Sequence, residues 1–385
     1  MRAPDLLAAD IGALTALRRD LHRRPELSSE EEATATRIVS ELQRFAPDEI
    51  LTRLGTHGVA AIFDSGRPGP TVLFRCELDA LPIFEISTFD WVSQTPGKGH
   101  QCGHDGHMAI LVGLAAEMAA QRPERGRVIL LFQPAEETGA GAADVIADAR
   151  FPSIRPDYAF ALHNLPGLPV GAVGVRPGPF TYASEGLAIR LSGRTAHAAQ
   201  PEAGLSPAAC LGALMAELSA LPARLGHAPG ASLVTLSHAR LGEPAFGISP
   251  GDAVIHLTIR AIDDALQAAL MAAAETLCQE KAAAAGLGVS FARHENFAAG
   301  HNDPEATAMI EDAARALGAA RAEIAEPFRW SEDFGRFGAS GKCALFVLGA
   351  GEDRPRLHNP DYDFPDEIIA PGIAMFERIA RGLCG

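Results

Sequence analysis

One stretch of this sequence constrains the fold most: an apolar run from Val128 to Phe132, soon followed by two adjacent carboxylates, Glu136 and Glu137. A short aliphatic and β-branched run bounded by turn residues is typical of a strand buried in a parallel sheet. Open α/β sheets bind their ligands beyond the carboxyl ends of such strands. We therefore expect the two carboxylates at that edge, one able to bind a metal ion and the other to move protons.

Strand-like runs and helical segments alternate after two N-terminal helices. In chain order the alternating segments are strand Thr71–Cys76, helix Met108–Ala120, strand Arg127–Gln133, helix Ala142–Ala149 and strand Tyr158–Leu162. This order predicts an α/β fold with a doubly wound, mainly parallel sheet. Ser28 and Ser29, three residues before Glu31 and Glu32, also predict a capping box at the start of the second helix.

A different order of elements, βαββαβ, begins near residue 185 and ends near residue 294. It is the order of a ferredoxin-like α+β domain. Beyond it, helix Pro304–Leu317 and the apolar run Ala344–Leu348 return to the first pattern. The chain is therefore predicted to form a discontinuous metal-binding catalytic domain, residues 1–184 and 295–385, with residues 185–294 inserted as a second domain.

The composition excludes several classes of function. A chain of 385 residues that is 47% hydrophobic can bury two cores. Its formal net charge of -15 argues against binding to nucleic acid or to an anionic membrane, because both need clustered Lys and Arg. Six widely spaced cysteines without a CxxC pair argue against a disulfide framework, and no signal-peptide core precedes the first helix. We expect a cytoplasmic protein.

Residues able to bind metal or transfer protons follow the predicted strands of the larger domain. They are Asp79, Glu136, Glu137, His163 and His358. Cys102 and His104 are predicted to lie on a Gly-rich loop before the helix at Met108, where the chain can wrap closely around an ion. A thiolate, imidazoles and a carboxylate suit a borderline cation, and several such ligands with a spare Glu suit a hydrolase that uses two metal ions. Zn or Mn is expected before Co or Ni, although all four accept these ligands.

Six segments, taken in order, give the chain a resemblance that spans nearly its whole length. The segments are Leu21–Glu26, Glu77–Ile83, His100–His107, Phe132–Glu137, Gly193–Ala198 and Leu357–Pro360. They resemble the N-acyl-amino-acid amidohydrolases, the branch containing hippurate and auxin-conjugate hydrolases within the aminoacylase and glutamate carboxypeptidase superfamily.

The resemblance implies a role for each candidate residue. The implied ligands of two divalent ions are Cys102 as the bridge, His104, Glu137, His163 and His358. Glu136 would be the general base, and Asp79 would support the ligands from behind. His197, on the inserted lid domain, would stabilise the oxyanion in a neighbouring subunit, which implies a homodimer through that domain. Arg260 lies near the point where the family binds a substrate carboxylate, although a solvated strand residue is the alternative.

The activity implied by the resemblance is hydrolysis of the amide bond of an N-acyl amino acid or a similar small conjugate, with water as nucleophile. A dipeptidase, a carboxypeptidase or a biosynthetic deacetylase is the alternative on the same scaffold. A non-catalytic metal- or ligand-binding module is the alternative of another class, although a binder needs no second carboxylate beside the ligand. Two departures from the family pattern, at Glu77 and at Phe246–Pro250, concern the substrate side.

Overall fold

The computed structural model describes residues 8–385. The α-helices in this range are α1 (Ile11–Arg23), α2 (Glu32–Gln43), α3 (His104–Ala120), α4 (Gly141–Ala147), α5 (Phe151–Ile154), α6 (Ala208–Ser219), α7 (Leu221–Arg224), α8 (Asp264–Ala284), α9 (Pro304–Leu317) and α10 (Ile369–Cys384). The strands are β1 (Glu49–Leu54), β2 (Gly58–Asp64), β3 (Thr71–Glu77), β4 (Arg127–Gln133), β5 (Tyr158–Pro166), β6 (Val173–Gly174), β7 (Gly178–Thr181), β8 (Ala183–Ser192), β9 (Ala196–His197), β10 (Ser232–Leu241), β11 (Ile248–Ser249), β12 (Asp252–Ala261), β13 (Gly288–Phe297), β14 (Gly300–Asn302), β15 (Arg321–Ala322) and β16 (Lys342–Gly351).

The described residues divide into two compact units. The first comprises residues 8–180, 300–326 and 332–385, and the second comprises residues 181–299 and 327–331. The second unit is thus inserted into the sequence of the first. None of the helices between residues 8 and 385 combines a bilayer-spanning length with sufficient apolar character.

An eight-stranded sheet forms the centre of the first unit, in the order β1-β2-β4-β3-β5-β16-β6-β15. The neighbours from β4 to β16 are parallel, whereas β1, β2 and β4 pair antiparallel at one side. Strands β3 and β4 are buried along nearly their whole length, as in sheets covered on both faces. The predicted α/β class with a parallel centre is confirmed, and the antiparallel strands β1 and β2 are an addition to it.

Helix α3 is buried along most of its length and starts earlier than predicted. It begins at His104 rather than Met108, so His104 is its first residue and not part of a preceding loop. Gly103, at φ +92°, leads the chain into the helix. Gly106 lies in its first turn, where a methyl group would overlap the ring of Phe364. Close packing by these glycines explains a helix start that the sequence pattern obscured.

The predicted capping box at the start of the second helix is wrong. Helix α2 begins at Glu32, and no side chain caps it. The Ser28 hydroxyl instead donates to Asp79, at 2.7 Å, and the Ser29 amide donates to Glu31, at 2.9 Å. The Ser28 hydroxyl and the Glu31 carboxyl group thus take part in tertiary hydrogen bonds, to Asp79 and from the Ala135 amide, instead of capping the helix.

The second unit is an antiparallel sheet in the order β10-β12-β8-β13, covered by α6 and α8. Alternate residues along β12 are buried, which is the pattern of a strand with one face against a core. That core is made of aliphatic side chains from the sheet and both helices. The chain order βαββαβ and the strand order are those of the predicted ferredoxin-like fold.

Candidate metal centre

Five predicted ligands lie together in the first unit. Cys102 immediately precedes the glycine that opens α3, and His104 is the first residue of that helix. Glu137 follows β4, whereas His163 lies inside β5 and not after it as predicted. His358 lies between β16 and α10.

The donor atoms of these residues form overlapping groups. The side chains of Cys102, His104 and His163 bring one donor atom each to within 4.8 Å of one another, and so do those of Cys102, Glu137 and His358. The Cys102 Sγ lies 3.5 Å from His163 Nε2, and Glu137 Oε1 lies 3.8 Å from His358 Nε2. Membership of both groups gives Cys102 the position that a bridging ligand would require.

A test on unpartnered atoms shows that these residues fit divalent ions. His104 Nε2 and Glu137 Oε1 are buried and have no hydrogen-bond partner among the described residues, and they lie 3.8 Å apart. Buried polar atoms are normally paired, because leaving one unpaired is costly. A cation would satisfy both atoms at once, and the sulfur, nitrogen and carboxylate donors match borderline metals such as Zn²⁺.

Backbone carbonyls orient the imidazole ligands. The His104 Nδ1 donates to the Asp79 carbonyl at 2.9 Å, and the His163 Nδ1 donates to the Asn164 carbonyl at 2.8 Å. This arrangement leaves the Nε2 atom of each ring for a metal ion. The Asp79 carboxylate is farther from His104, with its Oδ1 at 3.6 Å, while its Oδ2 accepts from the Glu137 amide at 2.9 Å. Asp79 thus contacts two of the predicted ligands, His104 through its carbonyl and Glu137 through its carboxylate.

Electrostatics in the group favour bound cations. Burial lowers the pKa of His104, but the carboxylates of Glu77, Asp79 and Glu137 outweigh this and raise it to about 10. Burial and the nearby His107 lower the pKa of His163 to about 3, so this imidazole is neutral and able to bind metal. A metal ion at His104 Nε2 would replace the proton that the surrounding carboxylates attract.

Two residues of the centre lie in strained backbone. Ala135, directly before Glu136, has φ +50°, and His358 has φ +66°. Left-handed conformations are unfavourable for residues with a Cβ and are concentrated at functional sites. The His358 amide donates to the Gln101 carbonyl at 2.9 Å, which ties the strained segment to the residue before Cys102.

Sequence reasoning missed a buried charge cluster beside Glu136. The Arg75 guanidinium donates to Glu332 Oε1 at 2.9 Å and to Asp333 Oδ1 at 2.7 Å, and it also pairs with Glu77. Carboxylate oxygens of Glu136, Glu332 and Asp333 lie within 4.8 Å of one another. Burial, followed by the charge of Glu332, raises the pKa of Glu136 well above its ordinary value. An Arg inside the apolar strand β3 was the available signal, because a buried guanidinium requires acidic partners.

His107 supports the centre through both ring nitrogens. Its Nδ1 lies 2.6 Å from the Glu77 carboxylate, and its Nε2 accepts from the Asn164 amide at 3.1 Å. Glu77, one of the two departures from the family pattern, is fully buried between His107 and Arg75. It therefore lies behind the predicted ligands, and not on the substrate side as predicted.

His197 and Arg260 belong to the second unit. His197 lies in β9, which pairs with β11 so that His197 faces Ile248, within the segment that departs from the family pattern. Its ring is exposed, and Nδ1 accepts from the Ala199 amide at 3.1 Å. Arg260, on β12, donates to the Arg329 carbonyl at 3.0 Å and to the Ser331 hydroxyl at 2.8 Å.

Comparisons with known proteins show the family of this chain. Residues 73–382 match the sequence model of peptidase family M20/M25/M40. The chain is 29% identical to hippurate hydrolase of Campylobacter jejuni, over 96% of both chains. It is 32% identical to N-acetyl-L-cysteine deacetylase of Bacillus subtilis, over 96% of this chain and 88% of that one.

The fold agrees with a solved structure as well. A Bacillus subtilis protein described as a dinuclear metal binding peptidase from the M20 family superimposes with a TM-score of 0.80 and 26% identity, over 96% of this chain and 97% of the other. The family match covers most of the sequence, and the five predicted ligands lie within it. On these grounds the chain belongs to peptidase family M20/M25/M40.

Proposed function

We propose that this chain is a metal-dependent amidohydrolase that cleaves N-acyl amino acids or similar small conjugates into a carboxylic acid and an amine. One observation carries the proposal: two adjacent carboxylates with different surroundings follow β4. Glu137 Oε1 lies 3.8 Å from both His104 Nε2 and His358 Nε2. Glu136 Oε2 lies 4.0 Å from His104 Nε2 and beside the buried acids Glu332 and Asp333.

Five residues would hold two divalent ions, with Cys102 shared between them. The proposed ligands are Cys102, His104, Glu137, His163 and His358. When bound, the ions would polarise the scissile carbonyl and make the attacking water more acidic. Zn or Mn is proposed first, with Co or Ni as the alternatives, since all four ions accept these donors.

Glu136 would move the proton during hydrolysis. Its carboxylate would accept a proton from water as the water attacks the carbonyl carbon, and would then give that proton to the departing nitrogen. Its raised pKa favours the first of these steps, because a carboxylate that is too acidic accepts a proton poorly. Asp79 would hold the ligand turn through the Glu137 amide.

Two residues of the second unit have proposed roles toward substrate. We propose that His197 donates to the developing oxyanion of a neighbouring subunit in a homodimer formed through the second unit. Arg260 would bind the substrate carboxylate with its planar guanidinium. The six cysteines are buried and free, which supports a cytoplasmic location.

A biosynthetic deacetylase is the second candidate. The chain is 27% identical to N-acetyldiaminopimelate deacetylase of Lactobacillus helveticus, over 94% of both chains. The bond cleaved would again be a linear amide, so the same residues would act and only the substrate would differ. A dipeptidase or carboxypeptidase remains the related alternative on this scaffold.

A substrate and metal panel tests the proposal. Metal-stripped protein would be reloaded separately with Zn²⁺, Mn²⁺, Co²⁺ or Ni²⁺ and assayed with hippurate, N-acetylcysteine, N-acetyldiaminopimelate and dipeptides. We expect hydrolysis of at least one N-acyl amino acid, and its loss after chelation. Preferential cleavage of dipeptides would show that dipeptides, and not N-acyl amino acids, are the substrates. Full turnover by protein that elemental analysis shows to be free of metal would contradict the proposed metal dependence.

A further inference from the structure

Glu31, the residue directly before α2, accepts hydrogen bonds from residues outside that helix. Its side chain is fully buried, and it does not cap α2, which begins at the next residue. Its Oε1 accepts from the Ser29 amide at 2.9 Å and from the Ala135 amide at 2.7 Å. A residue that the sequence pattern assigned to helix capping thus contacts the turn that follows β4.

Ala135 is the residue of that turn that most needs support. It is buried, directly precedes Glu136, and has φ +50°, a conformation that is unfavourable for a side chain with a Cβ. Such a conformation persists only when surrounding contacts hold it. The hydrogen bond from its amide to the buried side chain of Glu31 is a contact of that kind.

Carboxylates also hold the next parts of the turn. The Glu137 amide donates to Asp79 at 2.9 Å, and the Ala142 amide donates to Asp333 at 2.8 Å. The Glu31 contact is the one at the left-handed residue, where a change in the backbone would redirect both following side chains. The side chains of Glu31, Asp79 and Asp333 therefore each hold a different part of the segment that follows β4.

We propose that Glu31 is a positioning residue for the reaction: its carboxylate keeps Ala135 left-handed and so fixes the directions of Glu136 and Glu137. This inference rests on the proposed function, in which Glu136 moves the proton and Glu137 binds metal. Glu31 acts through the backbone and contacts neither substrate nor metal. A purely structural Glu31 would stabilise the fold without affecting the geometry of the centre.

The test compares the same substitution at two buried acids. Glu31→Met removes the accepting oxygens and leaves a side chain of similar length. Glu41→Met is the matched control, because Glu41 is also buried and lies on α2, but pairs with Arg37 and Arg44. Glu31→Gln retains an accepting oxygen and serves as the conservative variant. The measurements are amide hydrogen exchange of residues 133–142, the visible spectrum of the Co²⁺-loaded protein, and kcat and KM.

In Glu31→Met we expect faster exchange in residues 133–142, an altered Co²⁺ spectrum, and a kcat lowered about 10- to 100-fold, the usual effect of losing a residue that supports a metal centre. KM should change much less than kcat. Glu31→Gln should retain most of the wild-type kcat and spectrum. Glu41→Met should leave the exchange of this segment, the spectrum and kcat unchanged, even if it lowers the melting temperature.

A second pair of variants keeps the test decisive if Glu31→Met does not fold. Ala135→Gly removes the steric cost of a positive φ. The double variant Ala135→Gly with Glu31→Met would be compared with Ala135→Gly alone, and a different exchange rate or Co²⁺ spectrum is expected. An unchanged spectrum, exchange rate and kcat in a folded Glu31 variant would overturn the inference. Failure of the proposed function would look different, because the wild-type chain itself would then lack metal or turnover.

Discussion

Adjacent residues in this centre have different surroundings. The side chain of Glu137 approaches His104 and His358, whereas that of Glu136 lies beside Glu332 and Asp333. A ligand needs to stay ionised on the metal, while a proton-transfer group needs an accessible protonated form. Burial and the neighbouring acids raise the pKa of Glu136 well above its ordinary value, whereas the pKa of Glu137 rises only to about 7, because burial raises it and the His104 imidazole lowers it.

At this scale we predict separate effects of two isosteric changes. Glu136→Gln should keep the metal content and lower kcat by about 10²- to 10⁴-fold, the usual contribution of a positioned acid–base group. Glu137→Gln should lower metal occupancy, because an amide is a poorer ligand than a carboxylate. Elemental analysis and steady-state kinetics of both variants would check this. If Glu136→Gln loses metal and Glu137→Gln retains it, Glu136 is the metal ligand and Glu137 is the proton-transfer group.

The residues that could be predicted are those whose sequence position fixes their place in the sheet. Glu136 and Glu137 follow a strand that the apolar pattern located correctly, so their edge of the sheet was predictable. The partnership of Arg75 with Glu332 and Asp333 was not, because the partners are more than 250 residues apart in sequence. The strained φ of Ala135 was also hidden, since alanine gives no local signal for a left-handed turn.

At the scale of elements, glycine packing determines where helix α3 starts. Gly106 lies in the first turn of α3, where the ring of Phe364 packs against the backbone. Helix propensity argues against glycine at this place, which is why the predicted start fell at Met108. Periodicity identified the middle of the helix, whereas its beginning depends on a contact with a distant segment.

We predict opposite effects of two glycine substitutions within helices. Gly106→Ala should lower the free energy of unfolding by about 1–3 kcal/mol, because the added methyl group overlaps the Phe364 ring. Gly382→Ala, in α10, should raise it by up to about 1 kcal/mol, since no atom lies near the added methyl group and alanine favours the helix. Urea denaturation measures both. Equal changes in the two variants would contradict the packing role of Gly106.

At the scale of the whole molecule, the chain has two compact units with separate cores. The proposed ligands and base all lie in the first unit, and His197 and Arg260 lie in the second. The proposed dimer would give the second unit a part in catalysis through a neighbouring chain. Because His197 is proposed to act in a neighbouring subunit, the test must combine two different variants in one dimer.

We predict complementation between two inactive variants. His197→Ala and Glu136→Gln would each be nearly inactive, and the two chains would be mixed under conditions that exchange subunits. If His197 acts in the neighbouring subunit, a heterodimer has one site with both changes and one with neither, so activity should recover toward half of the wild-type value per heterodimer. No recovery in a heterodimer verified by native mass spectrometry would rule out action across subunits.

The insertion also orders events during synthesis of the chain. The first unit needs β16, which pairs with β5 near the centre of its sheet, and it needs His358 beyond that strand. The second unit is nearly contained in residues 181–299, which leave the ribosome earlier. The inserted unit can therefore fold on the ribosome while the surrounding sheet still lacks a central strand. The first unit, by contrast, can complete its sheet only after its last segment has been synthesised.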